Sequence, residues 1–296
     1  MSEQWQALAA RFEGAPYNAS LGIRVESVAL DRVRIRVPFK DEIANPGRAL
    51  HGGVAASTID IAGALAAWTG CAPRPDLETG TLDLSVNYLA AAIGEDIVAT
   101  AEVLRRGKEI VYSDVDIRND AGKRIAKGLV TYRIFDYAAV PPARTRQRGA
   151  APQLPPAESA QLIRGANGFV GLGFIAQLGI GVTHAYDGQA VLHMPFKPES
   201  ADYGNAVHEG ALAALIDTTG ALSSWSIVGL NLSYKASTVG IHVNYHTAAV
   251  GEEVVAHART LRRNNEIFLN SVTVSGRSSG TVLATGSVTY RIVVSD

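Results

Sequence analysis

The sequence predicts two α+β domains of the same kind, each a curved antiparallel sheet of about five strands wrapped around one long central helix. Residues 51–68 read HGGVAASTIDIAGALAAW, and residues 208–225 read HEGALAALIDTTGALSSW, at an offset of 157 positions. Both segments are apolar on nearly every face, which is typical of a helix buried on all sides. Strand-like runs surround each segment in the same order, so we infer an internal duplication.

The duplication extends well beyond the two helices. Residues 21–23 (LGI) match residues 178–180, and residues 86–88 (VNY) match residues 243–245, all at the same offset. Polar and special residues keep this register as well as apolar ones, which a shared fold alone would not require. The repeats place one domain at residues 1–136 and the other at residues 158–296.

Residues 137–157 between the repeats form the predicted linker. This segment holds five prolines and three arginines and has no apolar periodicity. Such a composition favours an extended tether over a packed element. A binding patch made by the arginines is the alternative.

Composition excludes several classes of protein. The 296 residues suffice for two domains with their own cores. The net charge of -1 gives no overall field that would attract nucleic acid or an anionic membrane, so neither is expected as a partner. Cys71 is the one cysteine, and the first residues lack the pattern of a secretory signal. We therefore expect a cytoplasmic protein without disulfides.

The first elements can be read in chain order. Glu3–Phe12 is amphipathic and predicts a short helix. Arg32–Val37 alternates polar and apolar residues, as a half-buried strand does, and Gln189–Met194 is its looser counterpart. The central helices are predicted over Val54–Trp68 and Ala211–Trp225.

Strands follow each central helix. In the first half they are predicted at Thr81–Tyr88, Asp96–Arg105, Ile110–Arg118 and Ile125–Phe135. Turns rich in Gly, Asn and Asp separate them. The second half repeats the series and ends in Thr281–Val294.

Asp60 and Asp217 stand in the middle of the two central helices. A carboxylate in an apolar site costs several kcal/mol unless it is paired, and its pKa rises. We therefore regard both as candidate catalytic groups. The alternative is an Asp that is tied to a neighbouring backbone or hydroxyl group.

A His and two helix-opening residues precede each central helix, as His51-Gly52-Gly53 and His208-Glu209-Gly210. Exposed N–H groups at a helix N-terminus, together with the helix dipole, stabilise a developing negative charge. An oxyanion hole requires this arrangement. The imidazoles could instead pack in the core or cap the turn.

Spacing decides how these groups can meet. His51 and Asp60 are nine residues apart, or about 13 Å along a helix, too far to act on one carbonyl group. If the two helices pack antiparallel, the N-terminus of each approaches the middle of the other. Each site would then take its oxyanion donor from one half and its carboxylate from the other.

The motif resembles the PaaI-like branch of the hotdog-fold acyl-CoA thioesterases. The resemblance rests on HGG, on the Asp nine residues after the His, and on the downstream strand that ends in Asn-Tyr, once per half. It implies two tandem hotdog domains whose sheets join or pack side by side. It also implies hydrolysis of an aryl or a short- or medium-chain aliphatic acyl-CoA without metal or redox cofactor, in a homodimer of such chains.

The resemblance also implies roles for residues of the first site. In that family the carboxylate on the central helix acts as nucleophile or general base, and the N–H after the His binds the carbonyl oxygen. An upstream Asn positions water or substrate, and a Ser or Thr on the next strand supports the carboxylate. These positions correspond here to Asn45, His51, Gly52, Asp217 and Thr238.

The second site departs from this pattern. It would consist of His208, Glu209, Asp60 and Thr81, with Asp202 where the first site has its Asn. The Glu209 backbone can still donate, but its side chain adds an anion close to the oxyanion position. We therefore expect the Asp217 site to be the stronger and the Asp60 site to be weak, altered or silent.

Coenzyme A carries phosphates, so a local cationic patch is expected. The candidates, each near the end of a strand, are Arg105, Arg106, Lys108, Arg262 and Arg263. A solvated hairpin tip is the alternative. No CxxC, HExxH or other clustered ligand pattern predicts a metal site.

Two other functions remain open at this point. A hotdog hydratase or dehydratase would keep the fold and change the chemistry, although its His and acidic residue are paired differently. A non-catalytic acyl-CoA-binding protein would fit the altered second site. The sequence does not identify the acyl group of the substrate. It also does not distinguish a thioester of coenzyme A from a thioester of a carrier protein.

Overall fold

A computed structural model describes residues 2–45, 47–71, 77–136, 165–168, 170–231 and 233–294. Each half contributes one long central helix and six strands to this described part. The predicted linker, residues 137–157, lies outside the described residues, and the domain boundaries stay a prediction.

Five α-helices are assigned element labels in the described residues. They are α1 (Glu3–Glu13), α2 (Pro16–Leu21), α3 (Gly52–Trp68), α4 (Gly173–Leu178) and α5 (Glu209–Val228). Residues 165–168 are helical as well. The opening helix agrees with the prediction to one residue at its end. The central helix α5 begins earlier than predicted and continues past Trp225 to Val228.

Twelve strands follow the predicted order. The first half holds β1 (Arg24–Ala29), β2 (Arg32–Val37), β3 (Leu77–Tyr88), β4 (Ile97–Arg106), β5 (Ile110–Arg118) and β6 (Arg124–Asp136). The second half holds β7 (Gly181–Tyr186), β8 (Gln189–Met194), β9 (Lys235–Tyr245), β10 (Val254–Asn264), β11 (Ile267–Gly276) and β12 (Val282–Val293). The described part of each half therefore has six strands, one more than the number of about five expected from the sequence.

All twelve strands form one sheet, in the order β1-β2-β4-β5-β6-β3-β9-β12-β11-β10-β8-β7. The halves join where β3 pairs antiparallel with β9, from Asp83 opposite Asn244 to Asn87 opposite Gly240. Each of these strands thus pairs with its own copy in the other repeat. The expectation that the two sheets join is confirmed.

The central helices lie inside the curve of this sheet. Every residue of α3 from Gly53 to Trp68 is buried, as the all-round apolar pattern predicts. Among the described residues, α5 is the one helix long and apolar enough to cross a bilayer, and 83% of that stretch is buried in the fold. A core helix of a soluble protein meets the same criterion.

The two central helices pack against each other in antiparallel orientation, as expected from the sequence. A Cβ atom added to Gly53 would lie 2.9 Å from Ala214 Cα, and one added to Gly210 would lie 3.0 Å from Ser57 Cα. The Ser57 hydroxyl also donates a hydrogen bond to the Gly210 carbonyl at 3.0 Å. The N-terminus of each helix therefore touches the middle of the other, and glycine at both crossings permits the approach.

We expect Gly53→Ala to destabilise the protein by about 2 kcal/mol, because the new methyl group overlaps the backbone of the facing helix. In an exposed helix the same change stabilises by about 1 kcal/mol. Thermal unfolding measures the effect. Gly168→Ala is the matched control, since no atom lies within 4 Å of its added Cβ. Equal melting temperatures for Gly53→Ala and the unaltered protein would contradict the close helix packing.

Candidate active site

A cavity of about 360 Å³ opens where the N-terminus of α3 meets the middle of α5. Both halves of the chain line it. From the first half come Asn45, Ala49, Leu50, His51, Gly52 and residues 88–91, and from the second half Asp217, Thr218, Ala221, Leu222, Trp225, residues 236–238 and Tyr290. All five residues predicted for the first site thus line one cavity.

Asp217 is the ionisable group at the centre of this cavity. Its side chain is almost completely buried, and its Oδ1 accepts a hydrogen bond of 2.6 Å from Thr238 Oγ1. Its Oδ2 lies 2.8 Å from where a Cβ on Gly52 would be. Burial raises the pKa of Asp217 to about 6, although the hydrogen bond from Thr238 opposes the rise. The carboxylate is therefore available as a base near neutral pH.

The first turn of α3 presents a backbone donor to this carboxylate. Gly53 N–H donates to His51 Nδ1 at 2.8 Å, and Val54 N–H donates to the His51 carbonyl at 2.9 Å. Gly52 N–H belongs to the same turn and has no intrahelical acceptor. The helix dipole adds partial positive charge at this N–H. The arrangement can bind an oxyanion next to Asp217.

His51 serves this turn as its N-cap. Its buried ring lies 5.5 Å from the Phe174 ring between centroids, and burial lowers the pKa of His51 to about 4. The imidazole is therefore neutral near pH 7, and its Nδ1 lone pair is already used by Gly53 N–H. The His51 ring thus both packs in the core and caps the turn.

Sequence reasoning missed several residues of the cavity wall. Trp225 is buried and also lines the cavity, and its Nε1–H donates to Tyr290 Oη at 3.2 Å. The Tyr88 hydroxyl donates to the Gly52 carbonyl at 3.0 Å and so holds the first turn of α3. The repeat carries a signal for both, because Trp68 bonds Tyr132 and Tyr245 bonds the Glu209 carbonyl in the same way.

The other predicted site also forms a cavity of about 360 Å³, where α5 begins against the middle of α3. Asp60 is buried, and its Oδ1 accepts a 2.5 Å hydrogen bond from Thr81 Oγ1. His208 Nδ1 accepts from Gly210 N–H at 3.0 Å and lies 3.9 Å from Asp60 Oδ2. Burial lowers the pKa of His208 to about 4, so this contact is not an ion pair near neutral pH.

Glu209 distinguishes this cavity from the first. Oxygen atoms of Glu209 and Asp60 and a ring nitrogen of His208 lie within 4.8 Å of one another. Burial and the neighbouring Asp60 charge both raise the pKa of Glu209, and burial raises that of Asp60. The spacing of the three groups could hold a metal ion. However, Gly210 N–H engages His208 Nδ1, so two carboxyl groups remain, fewer than most zinc sites use.

The structure gives Arg106, one of the predicted phosphate-binding cations, a structural role. Its guanidinium lies 2.5 Å from an Asp31 oxygen and donates to the Ala67 carbonyl at the end of α3 at 2.8 Å. The other four, Arg105, Lys108, Arg262 and Arg263, are exposed. None of the five is among the described residues that line the two cavities. A role in phosphate binding stays a prediction for all of them.

Solved structures share the fold of the whole described chain. A hot dog fold protein from Alicyclobacillus acidocaldarius superposes with a TM-score of 0.65 at 17% identity, covering 96% of this chain and 98% of that one. The tesB protein of Mycobacterium avium gives a TM-score of 0.60 at 13% identity, covering 99% and 100%. The fold is therefore a tandem hotdog, as predicted.

Sequence comparison gives the family. The model of the thioesterase superfamily matches residues 47–126 and again residues 204–284, more than half of the chain. The chain belongs to the thioesterase superfamily, with one family domain in each half. Human acyl-coenzyme A thioesterase 13 is 34% identical over 108 residues, which is 36% of this chain and 75% of that protein. The medium/long-chain acyl-CoA thioesterase YigI of Escherichia coli is 29% identical over 134 residues, covering 40% and 85%.

We expect Asp217→Asn to stabilise the protein at pH 8. The pKa of Asp217 is about 6 in the fold against an ordinary value of 3.8, so the native state is penalised once this carboxyl ionises. The shift corresponds to about 3 kcal/mol above pH 6, a cost that a neutral Asn does not have. Thermal unfolding should show a higher melting temperature for the variant at pH 8. The gain should shrink at pH 5, where Asp217 binds its proton, and a gain that is independent of pH would contradict the assignment.

Proposed function

We propose that this protein hydrolyses acyl-CoA thioesters to the free acid and coenzyme A at the cavity around Asp217. One observation carries the proposal: a buried carboxylate (Asp217) and the first residue of a helix (Gly52), contributed by different repeats, line the same cavity. Thioester hydrolysis requires this pair, since one group must attack or activate water while another stabilises the oxyanion. The names of the human and E. coli relatives support acyl-CoA as the substrate class.

In the proposed reaction the thioester carbonyl oxygen lies against Gly52 N–H at the start of α3. As the carbon becomes tetrahedral, negative charge develops on that oxygen, and the N–H and helix dipole stabilise it. Tyr88 and His51 hold the turn through their contacts with Gly52 and Gly53. His51 is thus a positioning residue, because its ring is neutral and already engaged.

Two routes are open to the ionised Asp217. It can attack the carbonyl carbon and form a mixed anhydride, or it can take a proton from water that attacks instead. In both routes Thr238 holds Oδ1 and leaves Oδ2 towards Gly52. We propose that Asn45, which lines the same cavity, positions water or substrate. The overall reaction consumes one water molecule and needs no metal or redox cofactor.

Acyl selectivity is the finer part of the proposal. Trp225, Ala221 and Leu222 give the cavity an apolar wall along α5. Such a wall suits an aryl or a short- or medium-chain aliphatic acyl group, and the E. coli relative is named for medium and long chains. We place the enzyme in the cytoplasm, as expected from its cysteine usage.

We also propose that two chains associate through the outer face of the sheet. Leu104 and its counterpart Leu261 are 62% and 67% exposed, and Tyr112 and its counterpart Leu269 are exposed as well. Both repeats thus present apolar side chains at matching positions on the side away from the helices. Apolar positions grouped on one surface favour a protein interface, and a homodimer would cover them.

Release of coenzyme A, detected with a chromogenic disulfide, tests the function. The substrates are phenylacetyl-CoA, benzoyl-CoA and a graded series of aliphatic acyl-CoAs. We expect turnover by the unaltered protein and a loss of about 100-fold or more in Asp217→Asn, because the attacking or activating group is removed. Asp60→Asn should lose much less. Comparable rates for Asp217→Asn and the unaltered protein would contradict the assignment of Asp217 to the active site. A folded protein without turnover on any substrate would favour the acyl-CoA-binding alternative.

The pH dependence of kcat/KM provides a separate test. Activity requires ionised Asp217, so kcat/KM should rise with pH through about 6 and then level off. Thr238→Val keeps the shape of the side chain but removes the hydrogen bond that lowers the pKa of Asp217. Its rise should therefore lie at higher pH. An unchanged inflection in Thr238→Val would show that another group controls the profile.

A further inference from the structure

The two sites differ in the continuity of their cavities. Around Asp217, one cavity extends from Trp225 and Tyr290 past Gly52 to residues 88–91. In the other site the equivalent space is divided in two. One cavity of about 360 Å³ ends at Trp68 and Tyr132, and a separate cavity of about 180 Å³ is lined by residues 245–248. A passage that is open in the first site is therefore interrupted in the second.

The residues shared by the two separate cavities mark the interruption. They are Thr79, Thr81, Asp202 and Glu209. Their counterparts in the open site are Ala236, Thr238, Asn45 and Gly52. Thr81 and Thr238 are identical, Asp and Asn have nearly the same size, and Thr79 is larger than Ala236 by only two heavy atoms. Replacement of Gly by Glu is the one large increase in volume, so the Glu209 side chain accounts for the division.

The position of the Glu209 carboxyl agrees with a side chain that divides the cavity. Its Oε1 lies 3.3 Å from where a Cβ on Gly80 would be, so the side chain reaches from the start of α5 to strand β3. The carboxyl also lies within 4.8 Å of the Asp60 carboxyl. The backbone N–H groups of Glu209 itself and of Thr81 lower the pKa of this carboxyl, which burial and the Asp60 charge raise. A carboxyl of the same chain therefore lies near the backbone donor equivalent to Gly52 N–H.

We infer that the Asp60 cavity is a second thioesterase site that the Glu209 side chain closes, and that Glu209→Gly opens it. The inference rests on the proposed function, since it gives Asp60 the chemistry proposed for Asp217. The remaining parts are present except the counterpart of Asn45, which is Asp202. Asp60 bonds Thr81 as Asp217 bonds Thr238, and His208 caps its turn as His51 does. The unaltered chain therefore has one working site.

Removal of the Glu209 side chain frees the N–H at position 209 and removes an anion from the oxyanion position. A thioester carbonyl can then lie between this N–H and Asp60. The reaction adds one water: a C–O bond forms at the acyl carbon, the C–S bond breaks, and the thiolate that leaves takes up a proton.

The test is done in the Asp217→Asn background, where the first site is silent. Coenzyme A release is compared for D217N, D217N/E209G and D217N/E209Q. We expect about a tenfold or larger increase for D217N/E209G, since one oxyanion donor is worth on the order of 100-fold in rate. D217N/E209Q should show no increase, because Gln fills the same space. Addition of D60N to D217N/E209G should remove the increase.

Each result decides the question. A folded D217N/E209G protein without a gain would overturn the inference, and so would a gain that survives D60N. An equal gain in D217N/E209Q would show that charge rather than bulk closes the site. If D217N/E209G does not fold, D217N/E209A replaces it, since Ala also removes the carboxyl. A failure of the proposed function looks different, because the unaltered protein would then release no coenzyme A at all.

Discussion

The close antiparallel contact between the two central helices is the constraint on which the site depends. Gly53 and Gly210 allow the backbones to meet at Ala214 and Ser57. This contact brings the first turn of each helix to the middle of the other, where Asp217 and Asp60 stand. A single helix could not do this, because its own N-terminus and its own Asp are too far apart. The antiparallel pairing of β3 with β9 holds the two halves in the orientation that this helix contact requires. Two composite sites follow from one packing arrangement.

The same packing buries Asp217, and this burial lowers the stability of the folded protein when the carboxyl is ionised. Asp217 is enclosed by apolar side chains, with Thr238 as its hydrogen-bonding side chain. Burial disfavours the charged form, but the proposed reaction needs that form. The hydrogen bond from Thr238 lowers the raised pKa of Asp217 to some extent, so the group ionises near pH 6 and its carboxylate is a stronger base than that of an ordinary Asp. Stability and reactivity are thus set against each other at one residue, as is expected where an enzyme buries its base.

Much of the fold and part of the site could be predicted from the sequence, for a physical reason. The repeat offset and the all-round apolar helices are local patterns, and they gave α3, α5 and the strand order. The spacing of His51 and Asp60 required antiparallel helices, which the structure has. The contacts of Arg106 and Trp225 could not be predicted, since their partners Asp31 and Tyr290 come from distant segments. The division of the second cavity was also out of reach, because it depends on where the Glu209 side chain lies across β3.

Position 52 and its copy at 209 show why two like sites need not behave alike. A Cβ at Gly52 would lie 2.8 Å from Asp217 Oδ2, so glycine at this position lets the carboxylate stand close to the first turn of α3. At position 209 a full side chain is present, and its carboxyl lies among the groups that would otherwise meet the substrate. A long side chain at this position fills the space in which the substrate carbonyl would lie, next to the first backbone N–H of the helix. Duplication supplies two copies of the packing, but the residue at this one position decides whether the gap between the helices is a site or a filled contact.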